Sequence, residues 1–253
     1  MSNLPQSFEE TLEQAKAATL TSLESGCGRV LVELCFPEIA LKSQSLAWDF
    51  AQLFVEQYGL GLKVLFPDTG AAALAKRDWG EIPFKVTDIG SSRSPVEHKL
   101  SDDDQLFIVV CPSSVEVPQV EKLCTIAGDR PVIMLIPQLE DVSIVGIGYA
   151  ARQLRERFIS TLESAYYIRP YEGAMVWRSY PSGWEVYLEK EEGEYELIAT
   201  EAQKPLGEHL ERLLLAAVTP AAGEPENPAL ANTKIKKAGL LGGLQSFLKA
   251  LSN

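Results

Sequence analysis

Apolar positions along the first two thirds of the chain alternate between two rhythms, one helical and one continuous. Phe8, Leu12, Ala15 and Leu23 share one helical face, with Pro5 ahead of them and Ser7 and Glu10 at capping-box spacing, which predicts a first helix ending near Gly26. Arg29 to Leu34 (RVLVEL) reads as a strand closed by Phe36-Pro37. A second amphipathic helix carries Leu46, Phe50, Leu53 and Phe54 and is stopped by Gly59 and Gly61. Leu62 to Phe66 is the next strand, followed by Pro67-Asp68-Thr69-Gly70 and a short Ala-rich helix. Phe84 to Ile89 is a further strand, and Gly90 to Asp104 a polar loop holding His98. Leu106 to Cys111 (LFIVVC) is a buried-strand run, and Val117, Val120 and Cys124 mark the face of another helix.

The most hydrophobic stretch comes next. Val132 to Ile136 is five apolar residues without alternation, the mark of a strand buried on both faces. A proline break, a glycine pair (Gly146, Gly148) and a helix over Tyr149 to Ser164 follow it. Strand and helix alternating this regularly predict a Rossmann-like α/β domain: a mostly parallel sheet with helices on both faces. Residues 165–200 change character. Short alternating runs are separated by Glu172-Gly173, Pro181-Ser182-Gly183 and Glu192-Gly193, which predicts an antiparallel extension of the sheet. A helix near Leu206 to Val218 closes a domain of residues 1–218. Residues 219–232 (TPAAGEPENPALAN) form a flexible linker rich in Pro and Ala, leading to a C-terminal amphipathic helix over 233–253.

Charge narrows the classes. The 253-residue chain carries −12 overall, which argues against a nucleic-acid partner, whose phosphates need a basic face. The balance is uneven: residues 233–253 hold Lys234, Lys236, Lys237 and Lys249 and no acid, leaving 19 basic residues against 35 acidic ones, a charge of −16, in the rest. Cys27, Cys35, Cys111 and Cys124 show no C-x-x-C spacing and sit in or beside apolar runs, as buried free thiols in a reducing compartment do. Nothing approaches the roughly 20 apolar residues of a membrane-spanning helix, and Glu9 and Glu10 do not suit a transit peptide. A cytoplasmic chain is expected.

No motif names a reaction. Gly146-Ile147-Gly148-Tyr149-Ala150-Ala151 matches the G-x-G-x-x-A dinucleotide fingerprint, but it follows the central strand rather than the first one, and no acid on a strand stands about 20 residues on. Asp68-Thr69-Gly70 lies between a strand and a helix, where backbone amides hold anions and where Asp is equally an N-cap. His98 and His209 have no ligand at metal spacing, Ser113-Ser114 has no nucleophile elbow, and the acids at 102–104 and 189–196 read as solvated loops. No catalytic, cofactor or metal residues are assigned.

Surfaces are more informative. On the helix after the glycine pair, Leu154 and Phe158 take the buried side, and Arg152, Arg155 and Arg157 are left for salt bridges within the domain or for an anion or partner. Six of the eight tyrosines lie between 166 and 195, with Trp177 and Trp184. Cross-strand pairing accounts for much of this, and Tyr180 and Trp184, with Arg152 and Arg155, are candidate partner contacts. In the tail, Leu240, Leu241, Leu244, Phe247, Leu248 and Leu251 form one continuous helical stripe opposite Lys, Gln, Ser and Gly. Gly239, Gly242 and Gly243 make this a poor helix in water, so it folds on meeting something. An anionic membrane surface suits its lysines, and a partner groove or the chain's own domain suits its stripe.

One resemblance organises these features. Leu4-Pro5, Val32-Glu33, Phe36-Pro37, Pro67-Asp68, Asp78-Trp79, Pro112, Arg130-Pro131, Pro137, Gly148, Arg152 and Arg157-Phe158 occur in an order that resembles a domain-of-unknown-function family of cyanobacteria and chloroplasts. Tyr166-Tyr167, Arg178, Tyr180-Pro181 and Trp184 continue it, over roughly residues 4–190. The family includes the low photosystem II accumulation protein 3. The resemblance implies a non-enzymatic, thylakoid-associated auxiliary factor that helps assemble or maintain a photosynthetic complex, most of all photosystem II. Its implied partners are a photosystem subunit or assembly intermediate and, through the tail, the thylakoid surface. It implies no catalytic residues. A nucleotide- or phosphate-ligand domain is the alternative, resting on the α/β pattern and the GIGYAA turn.

Overall fold

Ser7 begins the first helix as its spacing requires: its hydroxyl accepts the Glu10 N–H at 3.1 Å, and the Glu10 carboxylate reaches back to the Gln6 N–H at 2.5 Å. The structure is a computed structural model and describes residues 3–139, 149–191 and 193–218. The elements run α1 (Phe8–Glu24), β1 (Arg29–Leu34), α2 (Ser43–Tyr58), β2 (Leu62–Phe66), α3 (Thr69–Trp79), β3 (Lys85–Asp88), β4 (Leu106–Val110), α4 (Val117–Ala127), β5 (Val132–Leu135), α5 (Tyr149–Arg157), β6 (Glu163–Tyr171), β7 (Ala174–Ser179), β8 (Trp184–Glu191), β9 (Glu194–Glu201) and α6 (Gly207–Val218). The chain folds as two units, one of residues 5–167 with 179–181 and one containing the described residues of 168–178 and 182–218. The linker and tail expectations, 219–253, lie outside the described residues, as do Gly146 and Gly148.

In the larger unit the strands stand in the order β3-β2-β4-β5-β1, with the start of β6 beside β1. The pairs β1–β5, β4–β5, β2–β4 and β2–β3 are all parallel, with Val64 facing Ile108 and Ile108 facing Ile133 in register. Every residue of β2, β4 and β5 is buried, which is why these strands lack alternation. Leu65, Phe107, Val109, Val132 and Met134 pack on one face against Val117, Val120 and Leu123 of α4 and Phe158 after α5. α2 packs over β2, β4 and β5, and Val64, Ile108, Val110 and Ile133, which alternate with the first set, are equally buried. Helices on both faces of a mostly parallel sheet are therefore present.

The smaller unit is the expected antiparallel extension. The end of β6 turns through Glu172-Gly173 into β7, and β7–β8 and β8–β9 are antiparallel, with Val176 opposite Val186 and both buried. α6 lies on β9 and buries Leu210, Leu214 and Val218 at helical spacing.

Three expectations need correction. Glu189, Glu191, Glu194 and Glu196 lie in the paired strands β8 and β9 rather than in a solvated loop. The helix after the glycine pair ends at Arg157 rather than Ser164, and a 3-10 turn at Ile159–Thr161 leads directly into β6. The Ser160 hydroxyl donates to the Glu156 carbonyl and the Thr161 hydroxyl to the Phe158 carbonyl, so local side-chain bonds replace the helical ladder there. The acids of 102–104 are also not uniformly solvated: Asp102 and Asp103 are exposed, but Asp104 has no exposed surface.

Candidate functional site

Each of β1, β2, β4 and β5 runs into a proline at its carboxyl end: Pro37, Pro67, Pro112 and Pro137. Proline has no N–H to extend a ladder, so the parallel sheet ends along one line, the edge where open α/β sheets present their loops. β2 and β4 are neighbours there, yet the chain leaves β2 for β3 on one side and β4 for β5 on the other. A crevice at such a divergence is the usual ligand position of this architecture. Three non-glycine residues at this edge take left-handed backbone angles, Glu38 with φ 58° and, directly after β4 and β5, Cys111 with φ 46° and Ile136 with φ 45°. Just beyond them a single parallel bridge joins Ser113 and Gln138, whose N–H donates to the Pro112 carbonyl at 2.7 Å.

The donors an anion would use at this edge are held by carboxylates of the chain itself. Asp68 caps α3, accepting the Ala71 N–H at 2.9 Å. Glu116 accepts the Ser113 N–H at 2.9 Å and its hydroxyl at 2.5 Å. Asp88, at the end of β3, accepts the Gly90 N–H, the Thr69 hydroxyl and the Lys99 ammonium at 2.9, 3.2 and 3.1 Å. Burial pushes the Asp88 carboxyl up, but Lys99, Gly90 and Thr69 more than reverse it, so it lies below the ordinary carboxylate value. A phosphate there would meet fixed negative charge at each turn.

The opposite, amino edge is closed by cations. Lys63 and Lys85 both bind the Asp104 carboxylate, which also accepts the Ser101 N–H at 2.8 Å. Burial raises the Asp104 pKa, and these partners more than reverse it, holding the carboxyl below its usual range. Arg130 donates to the carbonyls of Ala127, Ile126, Asp104 and Ser101 and lies over the Phe107 ring at 5.2 Å. Arg29 donates to the carbonyls of Gly28, Arg130, Cys124 and Gly128. Lys63 could have been found in the sequence, since a lysine inside the apolar run LKVLF requires a buried counter-charge.

The expected site residues fall in different places. Arg152 and Arg155 are exposed on α5, and Arg157 forms a two-point ion pair with Glu121 of α4 at 2.7 and 2.8 Å. Tyr180 is half-buried, its N–H bonded to the Ala165 carbonyl. Trp184, in the smaller unit, is only 5% exposed, and its ring lies 5.2 Å from the Arg178 guanidinium and 5.4 Å from the Lys204 ammonium. The lysines and apolar stripe of 233–253 lie outside the described residues. All four cysteines are free, and burial pushes the Cys111 and Cys124 thiols up to about 11. Among the described residues no group of three or more His, Cys, Asp and Glu side chains could hold a metal ion. No described helix is long and apolar enough to cross a membrane.

Many residues that carry the sequence resemblance are joints of this scaffold: Arg130 staples the end of α4, Glu33 accepts the Ser164 hydroxyl at 2.6 Å, and Trp79 joins an aromatic cluster. Over residues 5–212 the chain matches the family described as Domain of unknown function (DUF1995), and it belongs to that family.

Proposed function

We propose that this protein is a non-enzymatic auxiliary factor that works at the surface of the thylakoid membrane, assisting assembly or maintenance of a photosynthetic complex, with photosystem II the first candidate. The observation that carries the membrane part is the pattern of 233–253: four lysines, no acid and one continuous stripe of leucines and phenylalanine, joined by 219–232 to a body of charge −14. Such a segment binds anionic lipid through its lysines and buries its stripe at the headgroup boundary, while the acidic body is repelled from the same surface. The thylakoid and photosystem parts rest on the sequence resemblance. The use of Asp68, Asp88 and Glu116 to fill the carboxyl-edge donors supports a binding scaffold over a nucleotide or phosphate domain.

Flotation with vesicles rich in phosphatidylglycerol and sulfolipid tests the anchor. The full chain should float and a chain ending at Thr219 should not, with binding weakened by salt. Equal behaviour of the two would remove the membrane reading. Loss of the gene should lower photosystem II and accumulate its assembly intermediates; unchanged levels would remove the photosystem reading.

A further inference from the structure

Lys42 ends a 3-10 turn, and α2 follows it alongside α3: the Gln44 amide donates to Asp78 at 3.1 Å, and the Trp48 and Trp79 rings lie 5.5 Å apart. Phe84 and Phe66 complete this cluster from below, within 5.9 and 5.8 Å of Trp79, and both are buried. Trp48 and Trp79 are each left partly exposed. They form the floor of an open hollow of about 580 Å³, with Leu41, Gln44, Asp49 and Asp78 on its walls. Leu41 stands 81% exposed at the rim.

Two partly exposed indoles and an exposed leucine together make an apolar surface that partners seek out. Two carboxylates stand beside it, Asp49 and Asp78, and Asp78 is already paired with Arg77 at 2.8 Å. Among the described residues the Asp49 carboxylate has neither a hydrogen bond nor an ion pair. Asp78 is held below its ordinary pKa, first by the Gln44 amide and then by Arg77, so it is ionised at neutral pH. An indole face beside a carboxylate takes a Lys or Arg side chain, which it meets through the ring and the ion pair at once.

We propose that this hollow is a docking site for a basic, leucine-bearing segment of a partner protein, a lysine or arginine lying over Trp48 against Asp49 while an apolar side chain covers Leu41 and Trp79. Charge complementarity selects the occupant: the body of residues 1–218, with 19 basic residues against 33 acidic ones, carries −14, and a second copy of that acidic surface would be repelled. The proposal uses no residue of 233–253, so flotation and docking can succeed or fail independently.

The test uses the full chain and an acetylated peptide of repeating lysine and leucine pairs, followed by tryptophan fluorescence, with a peptide carrying glutamate for lysine as control. Saturable quenching by the basic peptide alone is expected. Asp49→Lys and Leu41→Glu should each weaken it about tenfold, whereas Glu24→Lys, the same charge change at an exposed position on α1, should change it less than about twofold. Melting curves establish that the variants fold. Equal weakening by Asp49→Lys and Glu24→Lys would reduce the effect to diffuse attraction and overturn the site. Absence of saturable quenching would overturn it as well, and so would sedimentation showing a dimer abolished by Leu41→Glu, which would assign the hollow to a second copy.

Discussion

Lys63 and Asp104 form an ion pair inside the larger unit, the ammonium side chain 6% exposed and the carboxylate not at all. Neither could be buried alone. Removing one partner of a buried pair leaves an uncompensated charge, at a cost of about 3–5 kcal/mol. Asp104→Ala should therefore lower stability by about that much, with Lys85 also losing its partner, and Lys63→Met should cost less. Urea unfolding of the two variants checks the order.

The same carboxylate sets a pH dependence. Its folded pKa is depressed, so its stabilisation is fully present above the unfolded carboxylate value of about 3.9 and is lost as pH falls through the lower folded value. Asp88 acts in the same direction. Urea midpoints should fall steeply as pH drops below about 4, and Asp104→Asn should flatten that fall without abolishing it.

Arg130 serves four carbonyls with one planar group, those of Ile126 and Ala127 at the end of α4 and those of Ser101 and Asp104 before β4. Lysine cannot reproduce that fan of donors, so Arg130→Lys should cost about 2 kcal/mol and lower Tm by about 4–8 °C in a domain of this size. A melting curve like that of the parent would show that water replaces the lost bonds.

Cys111 and Cys124, with pKa values of about 11, hold only a trace of thiolate near neutrality. Iodoacetamide at pH 7.5 should leave both unlabelled in the folded protein and label both in urea, as peptide mass mapping would show.

Gly90 is a further fixed point. Its φ is +87°, and a Cβ there would stand 2.5 Å from the Ser94 carbonyl oxygen, so Gly90→Ala must move backbone. Faster proteolysis of the 90–104 loop and a loss of about 1–3 kcal/mol are expected.

Much of the architecture is written in the sequence because burial writes it. β1, β2, β4 and β5 are apolar runs closed by proline, and the turns of β6 to β9 sit where Gly173, Ser182 and Gly193 mark them. What escapes the sequence depends on groups brought together from a distance. Asp104 looks like its solvated neighbours until Lys63 and Lys85 arrive beside it. The hollow joins Trp48 to Trp79 across thirty-one positions, and neither helix pattern points to the other. Cys111 and Ile136 each precede a proline, a position biased to extended backbone, and their positive φ angles answer to the sheet edge instead.

The internal arginines and lysines have an outward effect. Arg29 and Arg130, both half-buried, spend their donors on carbonyl groups, and Lys63 and Lys85 share one carboxylate, so these four cations pair with a single acid between them. What solvent meets keeps the excess of acids that the sequence carries. Ionic strength should then act on the molecule in two opposed ways: added salt lets copies of the body approach one another, and it loosens the hold on anything cationic. Crowded, dilute-salt conditions would keep the molecules apart and their basic partners close.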